Sequence, residues 1–309
     1  MTVNTTLATY SDWCYAGAVI VYLLALLLHG VQFAAGRRRA AAPELVAAGG
    51  GGQASTTNPP GDGTSGTRDA AATAGRMAVS LTVLGAMIHG ASLLLRALAV
   101  QRVPWGNMYE FGSAICLAAV VTWLVLLRRH RVSGLGVFVL LPVVILLFTS
   151  GTLLYTKAAP LQPALRSYWI AIHVFAAVIA SGVLLVAGAA SVGYLMRTSG
   201  RAERLPAADV LDRLAYRATI VAFPVWTFAI IAGAIWAETA WGRYWGWDPK
   251  ETVALVAWVV YAGYLHARAT AGWRRGAAWI NVAGLAVMIF NLFFVNLVVS
   301  GFHSYAGVG

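Results

Sequence analysis

Apolar residues run through this chain in long unbroken stretches rather than in the stripes of a soluble helix. Short polar segments rich in arginine separate them. Stretches of this length predict membrane-crossing helices, about 20 residues each. The runs are about eight: Cys14–Phe33, Met77–Val100, Gly112–Leu127, Gly134–Tyr155, Trp169–Met196, Tyr216–Trp236, Thr252–Arg268 and Ala278–Ser300. The pattern predicts an all-α fold, a polytopic membrane helix bundle. The short alternating segments of a membrane barrel are not present.

Two segments fall outside this plan. Residues 37–76 are rich in Ala, Gly, Thr and Pro and predict a flexible linker. It divides a first helix (1–36) from a seven-helix core (77–309). Residues 205–217 carry Leu211 and Leu214 beside Asp209 and Asp212, and predict a short helix lying on the membrane surface.

Charge then sets the orientation. Arg37–Arg39 follow the first run, Arg128, Arg129 and Arg131 the third, Arg197, Arg201 and Arg204 the fifth, and Arg268, Arg274 and Arg275 the seventh. All of these gaps lie on one face. The positive-inside rule makes that face cytoplasmic and places both termini outside. The composition agrees: 60 % of the 309 residues are hydrophobic and 11 % charged, where a soluble domain carries about 25 %. The net charge of +11 is therefore spent on loops, and no nucleic-acid partner is predicted. Cys14 and Cys116 form no CxxC, so neither a zinc site nor a disulfide framework is expected. No cleavable signal peptide is predicted, because residues 1–12 are polar and the first run is long enough to span.

The outward loops carry the candidate chemistry. One holds Val103 to Phe111, with Trp105, Met108, Tyr109 and Glu110; an interfacial aromatic anchor would account for it. The other, residues 236–251, holds Trp236, Trp241, Tyr244, Trp245 and Trp247. That exceeds the one or two rings a helix end needs at an interface. Asp248, Pro249 and Glu251 spell a helix start, so Asp248 is expected to cap the seventh run. The cap does not explain Trp241, Trp245 and Trp247. Stacked indoles would make a flat platform for a large planar ligand.

Histidine depth divides the candidates. His173 lies one turn inside the fifth run, and His303 lies just past the eighth, both at the level of the tryptophan loop. Two imidazoles beside an aromatic platform would suit a bis-histidine site for a haem iron, the alternative being structural hydrogen bonds to neighbouring helices. His266 lies about 22 Å deeper at 1.5 Å per residue, too far for the same iron. It requires either a second site or a structural role. His29, at similar depth, is a candidate partner, though a structural role fits it better. His89 reads as structural and His130 as solvated.

The run from Trp241 to Glu251, the segment Tyr264 to Arg268 and the segment Asn296 to Ala306 together strongly resemble the CcsA/ResC family. These are cytochrome c biogenesis proteins of System II, marked by a tryptophan-rich WWD domain; actinobacterial members are often labelled CcsB. The resemblance covers about residues 77–306. Gly246 stands where relatives often have Ser, and Phe302 where Leu is common.

The resemblance implies that His173 and His303 ligate an external haem b, held without covalent attachment and in transit. It implies that Trp241, Trp245, Trp247 and Asp248 belong to the haem-binding WWD loop. It implies that His266 holds a second haem iron inside the membrane, with the other ligand supplied by a ResB-like partner. It implies a haem-handling subunit of a cytochrome c synthase in a bacterial plasma membrane, with the WWD loop outside, presenting haem to CxxCH apocytochromes. A thioredoxin-like thiol reductant is a further implied partner. A catalytic side chain of this chain's own is not required, because the reacting thiols belong to the substrate. The alternatives are a haem exporter or chaperone without synthase activity, and an electron-transfer cytochrome b. The latter usually carries two histidines in one span, which no run here has.

Overall fold

The computed structural model describes residues 3–35, 63–130, 132–161, 165–202, 204–270, 273–297, 299 and 301–302. Among these residues there are eight helices and no strand. They are α1 (Thr5–Ala35), α2 (Gly63–Val100), α3 (Met108–Arg129), α4 (Gly136–Leu153), α5 (Tyr168–Thr198), α6 (Ala208–Trp241), α7 (Pro249–Ala269) and α8 (Arg274–Leu297). Seven are long and apolar enough to cross a membrane. α7 falls short of the others because Lys250 and Glu251 occupy one end and His266 and Arg268 the other. The protein is a polytopic helical membrane protein.

Two expectations are corrected. The linker was expected to reach residue 76, but α2 starts at Gly63. The stretch Asp69 to Ala74 holds four alanines, and alanine is the strongest helix former. The remainder of the expected linker, residues 36–62, lies outside the described residues. Residues 205–217 are not a separate surface helix, because α6 runs without a break from Ala208. Leu211, Asp212 and Leu214 are buried in the bundle. Arg268 of α7 grips Asp212 with two bonds of 2.9 and 2.6 Å, so the helix start is held by a charge pair rather than by a lipid surface.

α5 is the central helix, packing on α3, α4, α6 and α8. Its middle reads Ala180-Ser-Gly182 and Ala187-Gly-Ala-Ala-Ser191, small residues that let helices approach closely. At Gly182 an added Cβ would sit 2.6 Å from that of Ala118, so α3 and α5 could not meet there with any larger residue. α1 packs on α2 and α4, and its Tyr15, Ala18, Tyr22 and Ala25 share the main core with α3, α4 and α5.

Candidate functional site

At one end of the bundle a cavity opens between α5, α6, α7 and α8, beneath the loop joining α6 to α7. Its wall is mostly apolar, with Trp226, Trp236, Trp241, Tyr244 and Trp245 as the aromatic members. On α5 the lining runs from His173 to Leu185 and on α6 from Trp241 to Trp226. At 1.5 Å per residue the cavity is therefore about 18–22 Å deep. Trp226 was missed by the sequence reading, since one tryptophan in an apolar helix reads as core.

His173 forms part of this wall. Its Nδ1 lies 2.7 Å from the carbonyl oxygen of Ala229 on α6. A carbonyl oxygen only accepts, so Nδ1 carries the proton and donates, and Nε2 carries the lone pair. This is the arrangement of a metal-binding imidazole, oriented through its other nitrogen. Gly233, one turn along α6, makes room for the ring: a Cβ there would lie 2.7 Å from Nδ1. The imidazole also lies nearly parallel to the Trp236 indole, at 13° and 6.4 Å between centroids.

The tryptophan loop is arranged differently from the expected flat platform. Trp241 meets Trp236 edge-on at 63° and 4.8 Å. Trp245 and Trp247 are perpendicular at 88°. Edge-to-face packing satisfies the ring quadrupoles better than a face-to-face stack. Trp241 and Trp245 line the cavity, whereas Trp247 does not and is 69 % exposed. Trp247 also adopts a positive φ of 57°, which turns the chain into α7.

Asp248 does what the helix-start signature predicts. It caps α7 and forms a capping box with Glu251. Its carboxylate also accepts from the Phe302 N–H at 2.7 Å. Asp248 thus ties the start of α7 to the residue before His303. His303 itself lies outside the described residues. Arg243 reinforces the tie, with its guanidinium 4.6 Å from the Phe302 ring centre.

A second cavity adjoins the first at His173. It is lined by Trp105, Gly106, Asn107 and Met108, and shares Phe111, His173, Trp236 and Lys250 with the first. The loop from Val103 to Asn107 is held by a buried charge cluster that the sequence reading missed. Glu110, fully buried, receives Arg96 Nε at 2.9 Å, Arg102 Nη1 at 2.7 Å and the Gly106 N–H at 2.8 Å. Arg96 also pairs with Asp12 of α1. The available signal was Arg96, a charge inside the apolar run of α2, which requires a partner. Glu110→Ala would leave Arg96 and Arg102 without their central anion. It is expected to destabilise the protein by about 3–5 kcal/mol, measured as lost resistance to thermal unfolding in detergent.

The other histidines separate cleanly. His89 is buried, with Nε2 2.8 Å from Ser113 Oγ and Nδ1 3.4 Å from the Tyr22 hydroxyl, so both nitrogens serve packing between helices. His29 is buried against Trp123 and Gly136, with Nδ1 3.3 Å from Gln32. His266 lies on an exposed face of α7 with Val256, Val259 and Gly263. These neighbours of His29 lie on α1, α3 and α4.

Comparison with known proteins bears on this arrangement. A family model described as Cytochrome C assembly protein matches residues 105–303. That range takes in both cavities, the tryptophan loop and His266. The cytochrome c biogenesis protein CcsA of Synechococcus sp. (strain RCC307) is 35% identical over 264 residues, covering 74% of this chain and 85% of that protein. CcsA of Mesostigma viride is 31% identical over 235 residues, covering 65% and 77%. The solved structure of Cytochrome c Heme Lyase CcmF superposes with a TM-score of 0.63 at 17% identity. It covers 95% of this chain and 47% of that one, a likeness of fold over about half of the longer protein. The chain belongs to the cytochrome c assembly protein family, and its role is in cytochrome c biogenesis.

Proposed function

We propose that this chain is the haem-handling subunit of a cytochrome c synthase. It takes haem b as cargo, relays it across the membrane and presents it at the tryptophan-loop end to CxxCH apocytochromes. The observation that carries the reading is His173: a cavity-wall imidazole whose Nδ1–H is engaged by Ala229, so that the lone pair is on Nε2. The residues present fit the cargo. The wall is apolar and aromatic, as a porphyrin face requires, and the metal-binding nitrogen type is in it. His303, beside the segment anchored by Asp248, is assigned as the second ligand. The loop end is assigned to the outside of the plasma membrane, following the arginine distribution.

Haem supplies two vinyl groups, across each of which one substrate thiol adds, the sulfur bonding to one carbon and the hydrogen to the other. The side chains of this protein bind and orient. His173 and the indoles of Trp241 and Trp245 fix the macrocycle, and the deep apolar wall excludes water. His266 is assigned to a second, inner haem. Its exposure on an apolar helix face supports a ligand from another chain, for which a ResB-like partner is proposed, rather than from His29. The seven-helix core over 77–309 is proposed as the haem-handling unit. Co-expression with a ResB-type partner and a CxxCH acceptor in cells lacking other maturation systems tests the reading. Covalent haem on the acceptor, seen by haem staining, is expected; acceptor made without haem would reject it.

Two further outcomes separate binding from scaffolding. Trp241→Ala and Trp245→Ala should lower haem per protein and leave expression intact. Asp248→Ala should instead lower protein level, since a lost cap costs about 1 kcal/mol and the Phe302 bond goes with it. Trp247 is proposed to contribute from the loop exterior. Gly233→Ala puts a methyl against the His173 ring and should weaken haem retention by about 10–100-fold, as loss of an orienting contact does at metal sites. Haem-to-protein ratios of the purified variants check all of these.

A further inference from the structure

The second cavity differs from the first in depth. Its lining on α5 runs only from Ile170 to Val174, whereas the first cavity reaches from His173 to Leu185. At 1.5 Å per residue that is about 6 Å against about 18 Å. The loop before α3, the first turn of α3 and Leu165 ahead of α5 supply much of the remaining wall. It is a shallow cleft at the tryptophan-loop end of the bundle, and it shares His173 and Trp236 with the deep cavity.

One polar group in the cleft wall has bonding capacity left over. Asn107 is 8 % exposed and lines the cleft. Its Oδ1 accepts the Glu110 N–H at 2.9 Å and so caps α3. Its Nδ2 carries two donors, and among the described residues no partner takes either of them. A donor this nearly buried needs an acceptor supplied from within the cleft. What the cleft takes follows from its neighbour. With the macrocycle in the deep cavity against His173, the second reactant has to touch it, and the cleft that shares His173 is contiguous with that site. A polypeptide laid across apolar side chains brings backbone carbonyls that must be satisfied, and a side-chain amide donates to them.

We propose that the shallow cleft seats the CxxCH segment of the acceptor, with Asn107 Nδ2 donating to one of its backbone carbonyls. This rests on the synthase reading of the deep cavity and deepens it. The two reactants then meet at His173, and Asn107 has two uses: its oxygen starts α3 and its nitrogen holds substrate.

The test uses the full-length chain co-purified with its ResB-type partner and carrying haem. The probe is a short fluorescein-labelled peptide of the form SxxSH, in which serines replace the cysteines so that it binds without reacting. Asn107→Asp and Asn107→Ser both keep an oxygen that caps α3 and both remove the amide N–H donors. Fluorescence anisotropy should show the peptide binding to the wild type and binding about 3–10-fold more weakly to each variant, the loss of one neutral hydrogen bond. Haem per protein should stay at the wild-type level. Unchanged peptide affinity in the variants, or a haem-bearing wild type that does not bind the peptide, overturns the docking proposal alone. Affinity lost together with haem places the amide on the cargo and also overturns it. A wild type that carries no haem overturns the reading beneath it. If Asn107→Asp does not accumulate, Asn107→Ser decides on the same readings.

Discussion

His173→Ala is expected to abolish cytochrome c maturation while the chain still accumulates in the membrane. The imidazole is part of the cavity wall, oriented by the Ala229 carbonyl and by the room that Gly233 leaves. Removing it deletes the proposed haem-ligating imidazole from the cavity wall and leaves the helix packing of α5 largely alone. The affinity for haem should fall by at least about 100-fold, the upper end of what losing a mere orienting contact costs a metal site. The vacated space has the shape of imidazole, and Ala229 remains as the acceptor for its N–H. Added imidazole should therefore restore part of the haem content. His303→Ala is expected to behave in the same way. Normal maturation in both variants, scored by haem-stained c-type cytochromes, would remove the bis-histidine site from the account.

If the outer site fills from an inner one, as proposed, His266→Ala should lower haem at both levels. Haem is made inside the cell, and its propionates are costly to move through hydrocarbon, so a relay needs an inner station. The structure gives His266 an exposed position on α7 and gives His29 a buried one against Trp123 and Gly136. His29→Ala should accordingly change haem content little. Haem quantitation of both variants, co-purified with the ResB-type partner, is the measurement. Full loading of His266→Ala would make that histidine structural and end the relay.

The helices and the level of His173 were legible in the sequence because membrane physics is nearly one-dimensional. Run length gives the spans, and residue count gives depth. The α7 cap was legible because Asp248, Pro249 and Glu251 act within four residues of one another. What joins distant segments was not. The Asp12, Arg96, Glu110 and Arg102 cluster draws on α1, α2, α3 and a loop, and the sequence reading did not find it although Arg96 lies in an apolar run. The depth of the cavity depends on how α5, α6 and α8 pack, so Trp226 looked like core. The indoles looked like a stack because their number is a sequence property and their angles are not. Residues 205–217 looked amphipathic enough for a membrane surface, but their polar side meets Arg268, 56 residues on from Asp212.

The central claim is that the cavity under the tryptophan loop holds haem on His173. The direct measurement is the pyridine haemochrome spectrum of the full-length chain purified from membranes, beside that of His173→Ala. The account predicts a b-type spectrum, non-covalent, at near-stoichiometric haem in the wild type and strongly reduced in the variant. A wild type without haem, or a variant with wild-type haem content, would contradict it.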